Sequence, residues 1–395
     1  MSNNFYPLAS TTWDTEEVEV AHKLLIANQL TMGSEVRKFE EDFARYIGTK
    51  YAVMFNSGSS ANLGMLVALR YMKNSPVQPG DEVIVPAVSW STTYYPVNQV
   101  GLTLKFVDVD LDTLNMSIKG VEAAIGPRTK AILAVNLLGN PAELNQLREI
   151  AKKNNLVLLE DNCESLGANI DETMTGAFGL AGTHSFFFSH HICTMEGGMV
   201  TTDSKEFAET LISIRAHGWT RGLDADNSVH PKSSNEWEDL FRFVLPGYNL
   251  RPIELSGAIG QVQLRKFPQF LEQRRKNAQL FIDLFKDIEG VKVQRETGKS
   301  SWFGFSFILS GVLQGKRKRI LDILQAEGIE TRPIVAGNFT SNPVMKHLDH
   351  AELPSLPNSE YLHTEGFFVG NHHVDFEAQL HKFKAIFLNA VERVK

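Results

Sequence analysis

The chain is short of cysteine, of positive charge and of long apolar runs, and each shortage closes off a class of function. Only Cys163 and Cys193 occur in 395 residues. Two thiols cannot build a disulfide framework or a four-thiolate iron–sulfur cluster from one chain, and they fit a reducing, cytoplasmic setting. The net charge is −7, and the one basic run, Lys316 to Arg319, is short and merges into a helix-like stretch, so no nucleic-acid partner is expected. No apolar segment has the length of a membrane span, and the opening MSNNFYPLAS lacks the charged-then-apolar form of a signal peptide. A further absence is local: no lysine occurs from Asn154 to Ser204.

What is present is an ordinary globular composition, long enough to bury a large core and to divide into two domains. The segment from Thr15 to about Gln29 reads as a helix, and Phe39, Phe43 and Ile47 form one apolar helical face. From Tyr51 onward short apolar runs alternate with helical ones. Tyr51–Phe55, 82–85, 104–109, 131–135 and 156–160 read as strands, with helix-like segments such as 61–72 and 141–154 between them. Such alternation predicts an α/β fold, a mostly parallel sheet covered by helices, whose ligands sit beyond the carboxyl ends of the strands. Residues 253–285 read as a long helical pattern interrupted at Pro268. A boundary is expected there, with a large domain over 1–255 and a smaller α/β domain over 256–395 containing strand-like 303–309 and helices at 317–327 and 376–394.

The strand ends carry the polar residues. Asn56-Ser57-Gly58-Ser59-Ser60 opens a helix, where free amides favour an anion but a plain N-cap would look alike. Pro86-Ala87-Val88-Ser89-Trp90 follows the next strand, its tryptophan either core or ligand-facing. Glu160-Asp161-Asn162-Cys163-Glu164-Ser165 follows a third. The stretch Thr183 to Val200, THSFFFSHHICTMEGGMV, reads as a buried strand through Phe186 to Phe188 that ends in His190 and His191, followed by a turn at Gly197-Gly198 and a return over Met199 to Thr202.

That stretch resembles the lysine loop of the pyridoxal-phosphate sugar aminotransferases of fold type I, the DegT/DnrJ/EryC1/StrS group. The pattern there is Ser-Phe, three residues, Lys, five residues, Glu-Gly-Gly. Here Ser185-Phe186 and Glu196-Gly197-Gly198 keep their places and His190 stands where the lysine belongs. Further matches run through AVSWSTTYYP, VNLLGNP, RAHGWTR, LPGYN and ETGKSSWFGFSF, nearly the whole chain. The resemblance implies an aspartate-aminotransferase-like fold holding pyridoxal or pyridoxamine 5′-phosphate. Gly58, Ser59 and Ser185 would face the phosphate, Trp90 the ring plane, Asp161 the pyridine nitrogen and Glu164 the ring hydroxyl. Asn249, in Tyr248-Asn249-Leu250-Arg251, would reach the phosphate of a neighbouring subunit, which implies a homodimer with shared sites. His217, Arg221, Arg332 and Asn338 are candidate substrate contacts.

A histidine cannot bond to the cofactor aldehyde as lysine does. Through the same stretches the chain resembles the branch, also carrying histidine in place of lysine, that removes the C3 hydroxyl of a GDP-linked 4-keto-6-deoxyhexose in making a colitose-type O-antigen sugar. Pyridoxamine phosphate would be consumed and L-glutamate would restore it, with release of ammonia. His190, titrating near neutrality, would serve as base and then acid. A related dehydratase branch uses an iron–sulfur cluster, which two cysteines exclude here. The alternatives are a nucleotide-sugar aminotransferase and a non-catalytic cofactor-binding dimer partner.

Overall fold

The computed structural model describes residues 5–395; residues 1–4, part of the opening expected to lack a leader, lie outside them. The main sheet takes β1 (Tyr51–Phe55), β2 (Glu82–Pro86), β3 (Thr103–Val107), β4 (Thr129–Val135) and β5 (Val157–Asp161). After a two-residue ribbon of β6 (Asn169–Ile170) and β7 (Thr173–Met174), it takes β8 (Ala181–Ser185) and β9 (Gly198–Thr202). The spatial order is β1-β9-β8-β5-β4-β2-β3. Only β9 runs against its neighbours; the other contacts are parallel. β2, buried at every residue, is apolar from Val83 to Pro86 rather than alternating, because helices cover both faces.

The long helix Glu254–Phe285 passes through Pro268 without a break, contrary to the expected interruption. Proline removes one hydrogen bond and costs about 3 kcal/mol in a helix interior. Here Leu264, Phe267 and Leu271 on either side are buried against Val36, Phe39 and Phe43, and that burial offsets the loss. Further along the same helix, Phe281 and Phe285 enter a second core. It is built on a smaller antiparallel sheet of β10 (Val291–Lys292), β11 (Gly304–Leu309) and β12 (Gly366–Gly370). Phe281 stacks on Phe305 at 4.3 Å and Phe307 on Phe367 at 4.9 Å.

The helix Ser34–Ile47 begins at Gly33, which has no side chain to cap it. Glu254 does so from a distance: its carboxylate accepts from the amides of Gly33 at 2.6 Å, Glu35 at 2.7 Å and Val36 at 3.3 Å. Buried to 2% exposure, it joins two helix N-termini, where the dipoles favour an anion. Glu254→Ala leaves these amides without a partner and should cost about 3 kcal/mol in denaturant unfolding. A loss under about 0.5 kcal/mol would mean that water replaces the cap.

Candidate active site

The carboxyl ends of β1, β2, β4, β5 and β8 surround a cavity of about 410 Å³, within the range of small-ligand sites. Seven of the residues singled out in the sequence line it: Gly58, Ser59, Trp90, Asp161, Glu164, Ser185 and His190. They come from segments far apart in the chain, and the sheet gathers them.

One corner is suited to an anion. The helix opens at Gly58, three residues before the expected start at Ala61, so the amides of Gly58 and Ser59 belong to its first turn and have no partner within the helix. Ser57 accepts from the Ser60 amide at 3.0 Å. Glycine is required at 58 by crowding: an added Cβ would lie 2.5 Å from the Ser185 Cβ and 3.1 Å from the Cys163 Sγ. This crowding brings the Ser185 hydroxyl beside the helix terminus.

Asp161 ends β5 and is 5% exposed. Its Oδ2 accepts from Asn62 Nδ2 at 2.9 Å and Thr93 Oγ1 at 2.8 Å; its Oδ1 accepts from the Cys163 amide at 3.2 Å. Among the described residues no cation pairs with it. A buried carboxylate aimed at a cavity and lacking a cation suits a protonated pyridine nitrogen, so the residues present fit the cofactor. Asn62 and Thr93 were not singled out in the sequence, although Asn62 is the one amide within the otherwise apolar run Ala61–Leu69.

Trp90 is 60% exposed, which rules out the core reading and leaves its ring free to face a ligand. Glu164 Oε2 accepts from the Leu138 amide at 2.9 Å. Burial pushes its carboxyl up to about 7; the Leu138 amide opposes this and the charge of Asp161 adds to it. Three more positions near the cavity hold non-glycine residues at positive φ: Leu138 at 53°, Met195 at 68° and Val335 at 50°. Such strain persists where the surrounding structure requires that conformation.

The strand before the histidines ends at Ser185 rather than running through Phe186 to Phe188. Phe186 is fully buried against Phe39 and Phe43, each at 5.3 Å, whereas Phe187 and Phe188 are exposed. The ladder stops because the His190 amide turns back to the Phe187 carbonyl at 2.9 Å. This turn separates the two histidines. His190 borders the cavity, its ring 6.1 Å from Phe187 and 5.3 Å from Phe303. His191 is a core residue, with Nε2 3.1 Å from the Ser301 carbonyl oxygen. Burial, helped by the Arg274 guanidinium, pushes the His190 imidazole down to about 4 instead of leaving it near neutrality. It is therefore a neutral proton acceptor across the physiological range.

The remaining candidates do not line the cavity of one chain. Asn249 is exposed, its Oδ1 accepting from Arg251 Nε at 3.0 Å. His217 rests on Trp219 at 5.0 Å, and Arg221 lies over the same ring. Arg332 is exposed and donates to the Thr331 carbonyl. Asn338 is buried in its own turn, bonded to Thr340 and Glu360. Phe303 and Val335 do line the cavity, as does Glu196 of the Glu-Gly-Gly turn. Among the described residues, no cluster could hold a metal ion and no helix is long and apolar enough to cross a membrane.

Buried histidines give the fold a pH dependence. His184 and His372 are pushed down to about 3, His190 and His373 to about 4, and His191 well below the ordinary value, in each case chiefly by burial. In the unfolded chain they take up protons near 6.5, so between 6.5 and 4 the unfolded state binds more protons and stability falls as pH falls. Glu164 and Glu160, raised by burial, bind protons more readily in the folded state than in the unfolded one and oppose this, but two groups do not cancel five. Each uncancelled proton is worth about 1.4 kcal/mol per pH unit. The denaturation midpoint should drop steadily from pH 7 to 4; a flat profile would contradict the burial of these rings.

Comparison with known proteins agrees with this geometry. The description of the DegT/DnrJ/EryC1/StrS aminotransferase family matches residues 11–379. The GDP-4-keto-6-deoxy-D-mannose 3-dehydratase of Escherichia coli O55:H7 is 52% identical over 375 residues, 94% of this chain and 96% of the relative. That of Yersinia pseudotuberculosis is 50% identical over 377 residues, 95% and 96%. A crystal structure of GDP-4-keto-6-deoxymannose-3-dehydratase with a trapped PLP-glutamate geminal diamine superposes with a TM-score of 0.95 at 50% identity, covering 97% of this chain and all of that one. A match that spans both cores and every strand end of the cavity leaves one assignment: the chain belongs to the DegT/DnrJ/EryC1/StrS aminotransferase family.

Proposed function

We propose that this chain removes the C3 hydroxyl from a nucleotide-linked 4-keto-6-deoxyhexose, GDP-4-keto-6-deoxy-D-mannose, giving the 3,6-dideoxy ketosugar and ammonia, with L-glutamate restoring pyridoxamine phosphate. The observation that carries it is His190 at the cavity in a site whose lining contains no lysine. Half of the sequence is shared with relatives bearing that activity in their names.

Bound in the cavity, the cofactor supplies an amine for the ketone and an electron sink. The amides of Gly58 and Ser59 and the hydroxyl of Ser185 hold its phosphate, Asp161 its pyridine nitrogen, Trp90 its ring face and Glu164 its ring hydroxyl. His190, neutral, accepts a proton from the carbon bearing the amine. As an imidazolium of unusually low affinity for that proton, it then gives it readily to the departing C3 oxygen. No lysine is at hand to return the proton to C4 and complete an amino transfer.

The lining offers Asp161, Glu164 and Glu196 but no lysine or arginine. A sugar diphosphate and the carboxylates of glutamate need cations, and these come from a second copy. The loop with the exposed Asn249 and the half-buried Arg251 is the segment we assign to that contact, and Trp237 at 81% and Phe241 at 66% exposure are apolar surface for a second copy to cover. The protein then works as a cytoplasmic homodimer contributing to O-antigen sugar synthesis.

The test is ammonia release with GDP-4-keto-6-deoxy-D-mannose and glutamate together, and none when either is left out. The bound chromophore should be lost on dialysis and leave no covalent adduct after borohydride. An amino sugar formed without ammonia would make the chain an aminotransferase, and tight cofactor binding without turnover would make it a binding protein.

A further inference from the structure

Arg274, in the middle of the long helix, is 5% exposed, and among the described residues no carboxylate lies within ion-pair distance of it. Its Nε has no hydrogen-bond partner. Its Nη1 donates to three carbonyls, those of Trp302 and Phe303 at 3.4 Å and Asn371 at 3.0 Å. Asn371 returns the contact, donating to the Arg274 carbonyl at 3.1 Å and to Trp302 at 2.8 Å. Trp302 needs such bracing because its φ is 48°, a left-handed conformation costly for a bulky side chain. The next residue along, Phe303, is the aromatic wall of His190. Its amide donates to Leu138, whose own amide binds Glu164 in the cavity.

We propose that Arg274 is a positioning residue for His190: it braces the Trp302–Phe303 backbone that sets the Phe303 ring against the imidazole, and it places an unpaired buried cation behind that wall. A buried cation is expensive unless paired, so an unpaired one retained beside the proton-transfer residue has a use there. The groups around His190 make the balance definite. After burial itself, the Arg274 guanidinium disfavours a positive charge on His190, whereas the carboxyl groups of Asp161, Glu164 and Glu196 line the same cavity. His372 and His373 are pushed down chiefly by burial and further by the same guanidinium.

The inference rests on the role given to His190 above, but its test does not need turnover. In the holoenzyme with isotope-labelled histidine, His190→Asn identifies the His190 ring resonance, which is then followed from pH 8 down. Wild-type protein should show His190 unprotonated well below 6.5. Arg274→Gln keeps a donor and removes the charge; the His190 midpoint should move up by about one pH unit, and turnover should fall about tenfold or more as the wall loosens. Arg274→Lys keeps the charge and should keep the midpoint low. A midpoint unchanged in Arg274→Gln overturns the proposal. So does a wild-type His190 that protonates at its ordinary value, a measurement that requires no variant to fold. If the dehydration were misassigned, the midpoint shift would persist without sugar-dependent ammonia release; if Arg274 were misassigned, ammonia release would persist and the midpoint would stay.

Discussion

His190→Asn should retain the fold and the bound cofactor yet lose turnover by about 10²- to 10⁴-fold, the usual contribution of a positioned acid–base group. Asparagine nearly matches the imidazole in size, so the contacts with Phe187 and Phe303 change little, but an amide cannot accept a proton near neutrality. The loss should fall on the sugar half-reaction and on glutamate-driven amine formation alike, because each needs a proton moved at the same carbon. Single-turnover absorbance of each half-reaction separates them. A rate within threefold of the parent would remove His190 from the chemistry and leave Glu164, with its carboxyl near 7 in the same cavity, as the remaining candidate. His191 is a poor substitute, since its ring is buried against Phe267 and Phe303 and bonded to the Ser301 carbonyl. The pH profile should agree: with the imidazole near 4, activity should not show an acid limb at 6–7 attributable to His190.

Asp161→Asn should be nearly as damaging, for a different reason. The carboxylate is held by Asn62, Thr93 and the Cys163 amide, all donors. An amide there presents its own NH₂ to at least one donor and provides no charge for a protonated ring nitrogen. Removing one partner of a buried, hydrogen-bonded charge pair costs about 2–5 kcal/mol, roughly 30- to 5,000-fold. Weaker retention of cofactor on dialysis and slowing of both half-reactions should appear together. Intact glutamate-driven amine formation with failed dehydration would show that Asp161 does not serve the ring.

Much of this was legible because the relevant chemistry is local in the chain. The apolar runs place β1 to β5, and the helix-opening Asn56 to Ser60, the strand-end Asp161 and the His190 that stands where a lysine is expected lie at the turns where an α/β sheet exposes them. The sequence by itself determined the residue types available at each strand end and the lack of a lysine among them. It could not separate His190 from His191 by periodicity, since two adjacent residues in a turn have none; only the likeness to the lysine loop singled out His190, and packing is what sent it to the cavity and His191 to the core. Nor could it predict that the long helix would continue through Pro268, because the burial that holds it comes from Val36, Phe39 and Phe43, distant in sequence. The protonation state of His190 is also a property of the assembled fold. Desolvation and the field of Arg274 depend on what is packed within a few ångströms, and the sequence order does not specify which groups those are.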